Sequence, residues 1–151
     1  MLETRPVPAL SEADVRAALN GFLGDQYQVP PMFSAIKIAG KPLYKSARAG
    51  EEVEREPRFI RISQYDLTRW ESPEIDFRVL CTKGTYVRTL AHDLGQRLGC
   101  GAHLSALRRI ASGGLNVSRA VTLEQLQKMS FPEIEKVLIP AYEAAPSVAL
   151  G

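Results

Sequence analysis

The sequence predicts an α+β fold in which helices pack on a largely antiparallel β-sheet. Residues 58–68 and 75–82 alternate apolar and polar side chains and are rich in β-branched residues, as half-buried strands are. Residues 85–98 instead carry apolar side chains at helical spacing. With 151 residues and 45% hydrophobic composition, the chain is long enough to bury the core of one domain.

Charge and cysteine content narrow the class of protein. The formal net charge is only +2, so any basic surface for nucleic acid has to be local. Cys81 and Cys100 form no CxxC pair and have no metal-ligand spacing, which favours reduced thiols. No stretch approaches the ~20 apolar residues of a membrane span, and the N-terminus lacks a signal-peptide layout. We therefore expect a cytoplasmic protein without a membrane partner.

The first helix is predicted over residues 12–22. Ser11 and Asp14 resemble a capping box, because the serine can accept a free backbone N–H while the aspartate favours the positive end of the helix. Apolar residues then recur at helical spacing, and Gly21 and Gly24 predict the end of the helix.

The next segment is predicted to be extended. Pro30 and Pro31 exclude a helix and indicate an extended path towards a short strand that ends at Gly40. Residues 44–50 fit one helical turn.

The strands at residues 58–68 and 75–82 are expected to be antiparallel neighbours joined through residues 71–73. In the strand at residues 58–68, the buried face begins at either Phe59 or Ile60, and the alternation is compatible with both. One buried stripe is predicted along the helix over residues 85–98. Its members are Val87, Leu90, Ala91, Leu94 and Leu98.

The remaining elements are short. Residues 100–109 are expected to form a turn and a short apolar segment that ends in two arginines. Gly113 and Gly114 then break the chain, and capping-box patterns at Thr122 and Ser130 predict two short helices. The tail over residues 141–151 is expected to lack a closing element.

The candidate site is the corner between the second strand and the long helix. Gly84 frees the backbone to turn sharply and leaves N–H groups at a helix start that can face an anion. Tyr86 and Arg88 lie off the apolar stripe, so they can project past the strand end. There the ring can stack on a base and the guanidinium can hold a carboxylate or phosphate. The alternative is that both are solvated residues on a surface helix.

Three segments resemble consecutive motifs of one family. They are QVPPMFSAIKIAGKPLYKSARAG at residues 28–50, CTKGTYVRTLAHDLG at 81–95 and LGCGAHLSALRRIASG at 98–113. In order and spacing they resemble the TruB family, the tRNA pseudouridine synthases that act on the T-loop uridine, and the resemblance covers roughly residues 11–126. It implies a pseudouridine-synthase-like fold and an isomerase that needs neither cofactor nor metal.

The resemblance also implies roles for individual residues. The family flips the nucleotide into a pocket, and its catalytic aspartate is paired with the arginine that corresponds to Arg88, which would position that carboxylate and keep it ionised. Tyr86 would contact the flipped nucleotide, and Leu107 would line the same pocket. The T-arm of tRNA would be the partner. Metal ligands are not expected, since His92 and His103 fit packing or capping roles better.

A local basic rim for tRNA phosphates is expected near this site. Its RNA-binding candidates are Lys37, Lys83, Arg108 and Arg109, with Lys41, Lys45 and Arg48 as further members. The alternative for each residue is an ordinary solvated side chain.

The family's GxLDxxAxG segment, which carries the nucleophile, does not occur in these 151 residues. We therefore nominate none of the five aspartates as catalytic. Residues 1–10 are interpreted as a lead-in, 11–140 as a partial, incomplete catalytic domain and 141–151 as a tail, so that the chain is a fragment and inactive alone. The acid would come from another segment or a separate chain. Two alternatives remain, a non-catalytic RNA-binding or tRNA-remodelling remnant and a relic without function.

Overall fold

The computed structural model describes residues 5–34, 37–38, 40–42, 45, 48–51 and 53–144. The chain divides into two compact units, Met1–Ser105 and Ala106–Gly151. None of the helices in the described ranges has the length and apolar character that crossing a bilayer requires. The helical turn expected over residues 44–50 falls partly on described residues, where Lys45 and Arg48 are helical and the Ala49 N–H donates to the Lys45 carbonyl oxygen at 3.2 Å.

The first unit is built around a three-stranded antiparallel sheet. Its elements with described bounds are, in chain order, α1 (Glu12–Asn20), β1 (Gly24–Gln28), β2 (Lys37–Ile38), β3 (Lys41–Pro42), β4 (Arg58–Glu71), β5 (Glu74–Cys81) and α2 (Val87–Arg97). Strand β4 is central, between β1 and β5, while β2 and β3 pair with each other. Glu71 pairs with Glu74, so Ser72 and Pro73 form the turn between β4 and β5. The predicted fold class and the predicted antiparallel pair are confirmed.

The core lies where α1 and α2 cover one face of this sheet. Ile60 leads the buried face of β4, which settles the choice between Phe59 and Ile60. A register shift between Ile62 and Gln64 changes the phase of the strand, so that Tyr65 rather than Gln64 faces the helices. The most fully buried side chains come from three elements. They are Val15, Leu19, Ile60, Ile62, Leu90 and Leu94.

Helix α1 begins and ends close to its predicted bounds. Ser11 Oγ accepts the backbone N–H of Asp14 at 3.2 Å, and the Asp14 carboxylate accepts that of Ser11 at 2.8 Å, so the capping box is confirmed. The Ser11 hydroxyl also donates to the Asp14 carboxylate at 2.6 Å, and this bond, together with that from the Ser11 N–H, holds the pKa of Asp14 below its ordinary value. The helix ends at Asn20, with Gly21 as its C-cap.

Helix α2 buries the predicted apolar stripe through Leu90, Ala91 and Leu94. Gly95 lies on the same face, and a Cβ atom at this position would collide with the backbone of Gly101 and Ala102. The Gly101 N–H donates to the Gly95 carbonyl oxygen at 2.9 Å. The chain therefore folds back over the end of the helix at a distance that only glycine permits.

The second unit consists of short elements. They are β6 (Ala111–Ser112), β7 (Leu115–Asn116), a 3-10 turn (Val117–Arg119), α3 (Leu123–Lys128), α4 (Phe131–Val137) and α5 (Ala141–Ala144). The capping boxes at Thr122 and Ser130 open α3 and α4 as predicted. Helix α5 contradicts the expectation that the tail lacks a closing element. Two hydrogen bonds of 3.0 Å to the Pro140 carbonyl form this single turn, which is too short to show a helical period.

Candidate functional site

A sharp corner connects β5 to α2 at the position that the sequence predicts. Gly84 has φ of +86°, a left-handed conformation that side chains with a Cβ rarely adopt. Thr82, two residues before Gly84, is fixed to the sheet by two hydrogen bonds with Arg61. The Thr82 N–H donates to the Arg61 carbonyl at 3.0 Å, and Thr82 Oγ1 accepts the Arg61 N–H at 3.0 Å. Tyr86 is the N-cap of α2. The corner therefore has a defined backbone path from the strand to the helix.

Tyr86 is held by a buried glutamine at the end of β1. Gln28, which is 5% exposed, accepts the backbone N–H of Tyr86 on Oε1 at 2.7 Å. Its Nε2 donates to the Tyr86 carbonyl oxygen at 3.2 Å. One N–H of the helix start, where an anion was expected to bind, is therefore occupied. The half-buried Tyr86 is fixed through its backbone.

Arg88 lies in the first turn of α2 and is exposed. Its Nη2 donates to the Phe33 carbonyl oxygen at 2.7 Å, in the segment that follows β1. A guanidinium has five N–H donors in a planar fork, so this bond leaves donors for a further acceptor. In the described ranges of the chain, no carboxylate pairs with Arg88. The arginine is positioned but lacks the acid that the family resemblance implies.

All five aspartates lie in the described part of the chain, and none of them pairs with Arg88. Asp14 caps α1, and Asp66 accepts from Gln64. Asp25 and Asp76 form ion pairs with Arg61 and Arg69, and the hydrogen bond within each pair lowers the pKa of the aspartate. Burial raises the pKa of Asp93, which is half-buried on α2.

The sequence-predicted RNA contacts are divided between the two units. Lys83 is exposed in the turn beside Gly84, so it belongs to the corner. Lys37 lies in β2 and Lys41 in β3, but their side chains fall outside the described residues. In the second unit Leu107, Arg108 and Arg109 are exposed and precede β6. Within the first unit, Lys83, Tyr86 and Arg88 lie together at the corner.

The other polar candidates have simpler surroundings. Lys45 and Arg48 are exposed. His92 and His103 are also exposed, and their packing or capping roles stay predictions. Among the described residues, no three or more His, Cys, Asp or Glu side chains form a group that could hold a metal ion.

Two partners of the corner were not found by sequence reasoning, namely Gln28 and the Phe33 carbonyl. They lie 58 and 55 residues from the groups they contact, so no local pattern connects them. The segment they flank is also held by Arg55, whose Nη1 donates to the Pro30 carbonyl at 3.2 Å. Only the position of Gln28 directly before a Val-Pro-Pro sequence, where the chain must leave the strand, could have indicated a special role.

A pocket was expected at the Gly84–Arg88 corner, and this stays a prediction. A cavity of about 80 Å³ lies beside α1 and β4. Its lining residues are Arg16, Leu19, Asn20, Tyr65, Asp66 and Leu67. None of these residues belongs to the corner.

Comparison with known protein families agrees with the motifs at the corner. Residues 1–87 match the N-terminal domain of the TruB family pseudouridylate synthases, and residues 88–144 match the C-terminal domain of tRNA pseudouridylate synthase B. The boundary between the two matches falls inside the corner, between Val87 and Arg88.

Individual relatives give the same result. The tRNA pseudouridine synthase B of Opitutus terrae is 64% identical over 148 residues, which cover 98% of this chain and 61% of that protein. The protein of the same name from Burkholderia mallei is 52% identical over 140 residues, which cover 93% and 46%. The chain spans about half the length of the curated relatives it matches.

A solved structure supports the fold. The crystal structure of a Cbf5–Nop10–Gar1 complex contains a chain with a TM-score of 0.70 and 25% identity, matched over 93% of this chain and 40% of that one. Together with the two family models, which cover most of the sequence, this likeness establishes that the chain belongs to the TruB family of pseudouridine synthases.

Proposed function

We propose that this chain supplies the arginine-bearing half of a tRNA pseudouridine synthase that isomerises the T-loop uridine of tRNA. One observation carries the proposal. Arg88 is fixed at the corner by a 2.7 Å hydrogen bond to Phe33, while no described carboxylate pairs with it. This arrangement leaves the guanidinium able to pair with a carboxylate from another segment. The cytoplasm, where tRNA is available, is the expected compartment.

The reaction explains why such an arginine is needed. Isomerisation breaks the bond between N1 of uracil and C1′ of ribose, and forms a bond between C5 and C1′. C5 loses its hydrogen and N1 gains one, so no atom is added or removed. A nearby guanidinium lowers the pKa of an aspartate and holds it at a fixed angle. Arg88 would thus keep the family's nucleophile ionised and aimed at the flipped nucleotide.

The neighbouring residues receive supporting roles in this proposal. Tyr86 would contact the flipped uridine, for which its half-buried position beside the corner is suitable. Leu107 would line the same pocket. The exposed cations Lys83, Arg108 and Arg109, with Lys37, would bind phosphates of the T-arm.

A polypeptide of only these 151 residues is proposed to be inactive. These 151 residues contain no GxLDxxAxG segment, and none of the five aspartates, all of them described, pairs with Arg88. The nucleophile would then come from sequence outside these residues, in the same polypeptide or in another chain.

The test is a fusion protein, in which the part of the Opitutus terrae relative that precedes its matched region is joined before residue 1. We expect this fusion protein to form pseudouridine at the T-loop uridine of a tRNA transcript, and the 151-residue chain to form none. Pseudouridine formed by the chain alone would show that an outside carboxylate is not needed. A folded fusion protein that binds tRNA without forming pseudouridine would refute the catalytic proposal.

A second function, RNA binding without catalysis, is favoured by the lack of a carboxylate at Arg88 among the described residues. It predicts that the 151-residue chain binds tRNA with an affinity that falls steeply with salt. The double variant Arg108→Ala with Arg109→Ala should then reduce both the affinity and its salt dependence, whereas Arg88→Ala should change neither.

A further inference from the structure

The amide of Gln28 makes a two-point contact with the backbone of one residue on a distant element. It is the last residue of β1 and is 5% exposed. Its oxygen accepts from the Tyr86 N–H at 2.7 Å and its nitrogen donates to the Tyr86 carbonyl at 3.2 Å. A buried amide that satisfies both its acceptor and a donor on a single residue fixes the position and orientation of that residue.

This contact determines where α2 begins. Tyr86 provides no side-chain cap, and the first turn of α2 has no acidic residue. The Tyr86 carbonyl also accepts from the N–H groups of Thr89 and Leu90, at 3.0 and 3.1 Å, so it starts the hydrogen-bond ladder of the helix. Gln28 therefore accepts the N-cap N–H, as the N3 side chain does in a capping box, and holds the first carbonyl of the ladder.

Both residues of the Arg88 contact follow a residue of the Gln28–Tyr86 pair closely in the chain. Arg88 lies in the first turn of α2, two residues after Tyr86, and Phe33 lies five residues after Gln28. The 2.7 Å bond between Arg88 Nη2 and the Phe33 carbonyl thus joins the same two segments a second time, a few residues beyond the contact between Gln28 and Tyr86. A shift of α2 relative to β1 would move the guanidinium away from its position.

We propose that Gln28 is a positioning residue for the isomerisation, acting through Tyr86 to place Arg88. This inference rests on the proposed function of the corner. It requires that the side chain at position 28 both accepts and donates a hydrogen bond. Gln26 lies on the same strand, but its amide donates to the Phe22 carbonyl at 2.6 Å and forms no hydrogen bond with α2, so it is not assigned this role.

The substitution Gln28→Glu tests this requirement through pH. A protonated carboxyl can replace the amide, since its carbonyl oxygen accepts from the Tyr86 N–H while its hydroxyl donates to the Tyr86 carbonyl. An ionised carboxylate only accepts and would face the Tyr86 carbonyl oxygen. Burial raises the pKa of such a carboxyl, which brings its ionisation closer to the pH range of an assay.

The quantity to follow is the turnover of the Gln28→Glu fusion protein relative to that of the unsubstituted fusion protein at the same pH. We expect this ratio to fall by about tenfold per pH unit above the pKa of the new carboxyl. The KM for tRNA should stay within about twofold, because the phosphate contacts are unchanged. Gln28→Met should reduce turnover at every pH. The matched control Gln26→Glu should follow the unsubstituted profile. Circular dichroism at each pH verifies that all variants remain folded.

Two results would overturn the inference. One is a folded Gln28→Glu variant whose turnover follows the unsubstituted profile from pH 5.5 to 8.5. The other is a Gln26→Glu control with the same pH-dependent loss. If the unsubstituted fusion protein forms no pseudouridine, the proposed function is refuted whatever the role of Gln28. Hydrogen exchange then tests the contact between Gln28 and Tyr86 without an activity assay. The Tyr86 amide should be protected in the 151-residue chain and exchange at least tenfold faster after Gln28→Met, whereas equal exchange rates would show that Gln28 does not hold Tyr86.

Discussion

The two units of the chain use the same local signals but differ in packing. Both contain helices opened by capping boxes, at Ser11 in the first unit and at Thr122 and Ser130 in the second. In the first unit Leu19 and Leu90 are each 1% exposed. Between residues 106 and 144 no side chain is buried. Capping boxes therefore define where helices start without ensuring that a core forms.

Element length explains the difference. The first unit has helices of 9 and 11 residues and a strand of 14, whereas the helices of the second unit have 6, 7 and 4 residues. Such short helices are marginal by themselves and present little apolar area for packing. Large apolar side chains of the second unit remain exposed. Among them are Leu107, Leu123, Phe131, Leu138 and Tyr142.

The largest expected difference in stability is between alanine substitutions of one leucine from each unit. Leu90→Ala removes a side chain that is 1% exposed and should lower the free energy of unfolding by about 2–5 kcal/mol. Leu123→Ala, at a position 71% exposed, should change it by less than about 0.5 kcal/mol. Urea denaturation monitored by circular dichroism measures both. Equal losses would show that the second unit contributes a core of its own.

A pair of glycines sharpens the comparison. Gly95→Ala would force a Cβ into the backbone of Gly101 and Ala102 and should cost about 1–3 kcal/mol of stability. Gly114→Ala, in the second unit, meets nothing within 4 Å and should leave the denaturation midpoint unchanged. The same denaturation assay applies. A neutral Gly95→Ala variant would mean that the close approach at the end of α2 does not constrain the fold.

The smallest effect concerns acidic residues. The hydrogen bond from Arg61 lowers the pKa of Asp25 below its ordinary value of 3.8. The ionised form is thus favoured by folding, so its stabilisation is present above pH 3.8 and is lost as pH falls through the lowered pKa. Asp25→Asn should therefore reduce the denaturation midpoint slightly at pH 7. The difference should vanish in strong acid, and a gap that instead widens in acid would contradict the assigned pair.

The matched substitution in the second unit is Glu133→Gln. Hydrogen bonds from Ser130 lower the pKa of Glu133, but this residue belongs to a short exposed helix. Its loss should leave the midpoint for the first unit unchanged at either pH. A midpoint shift as large as that of Asp25→Asn would show that the two units unfold together.

Sequence reasoning identified the elements whose signals are local. The long strands, helices α1 and α2 and three capping boxes have periodicity or cap residues within a few positions. Strand β1 was missed because its sequence GDQYQ shows no apolar alternation. It is held by pairing with β4, including an edge-to-face contact of Tyr27 with Phe59 and the ion pair of Asp25 with Arg61.

For the candidate site, too, the sequence predicted the residues that are neighbours in the chain but not their distant partners. Gly84, Tyr86 and Arg88 follow one another in the chain, so their position at a strand-to-helix corner could be deduced. Gln28 and Phe33 were not found because long-range contacts depend on the register between β1 and β4, which no local pattern specifies. The phase shift near Ser63 in β4 was undetectable for the same reason.

The central claim is that Arg88 positions a carboxylate for the isomerisation, and one substitution tests it most directly. In the fusion protein, Arg88→Ala should reduce the turnover of tRNA to pseudouridine by about 100-fold or more, because a misplaced catalytic group loses its alignment. Its affinity for tRNA should stay within about twofold. Arg97→Ala removes the same charge at the other end of α2 and should leave turnover unchanged. A folded Arg88→Ala variant with unchanged turnover would contradict the account.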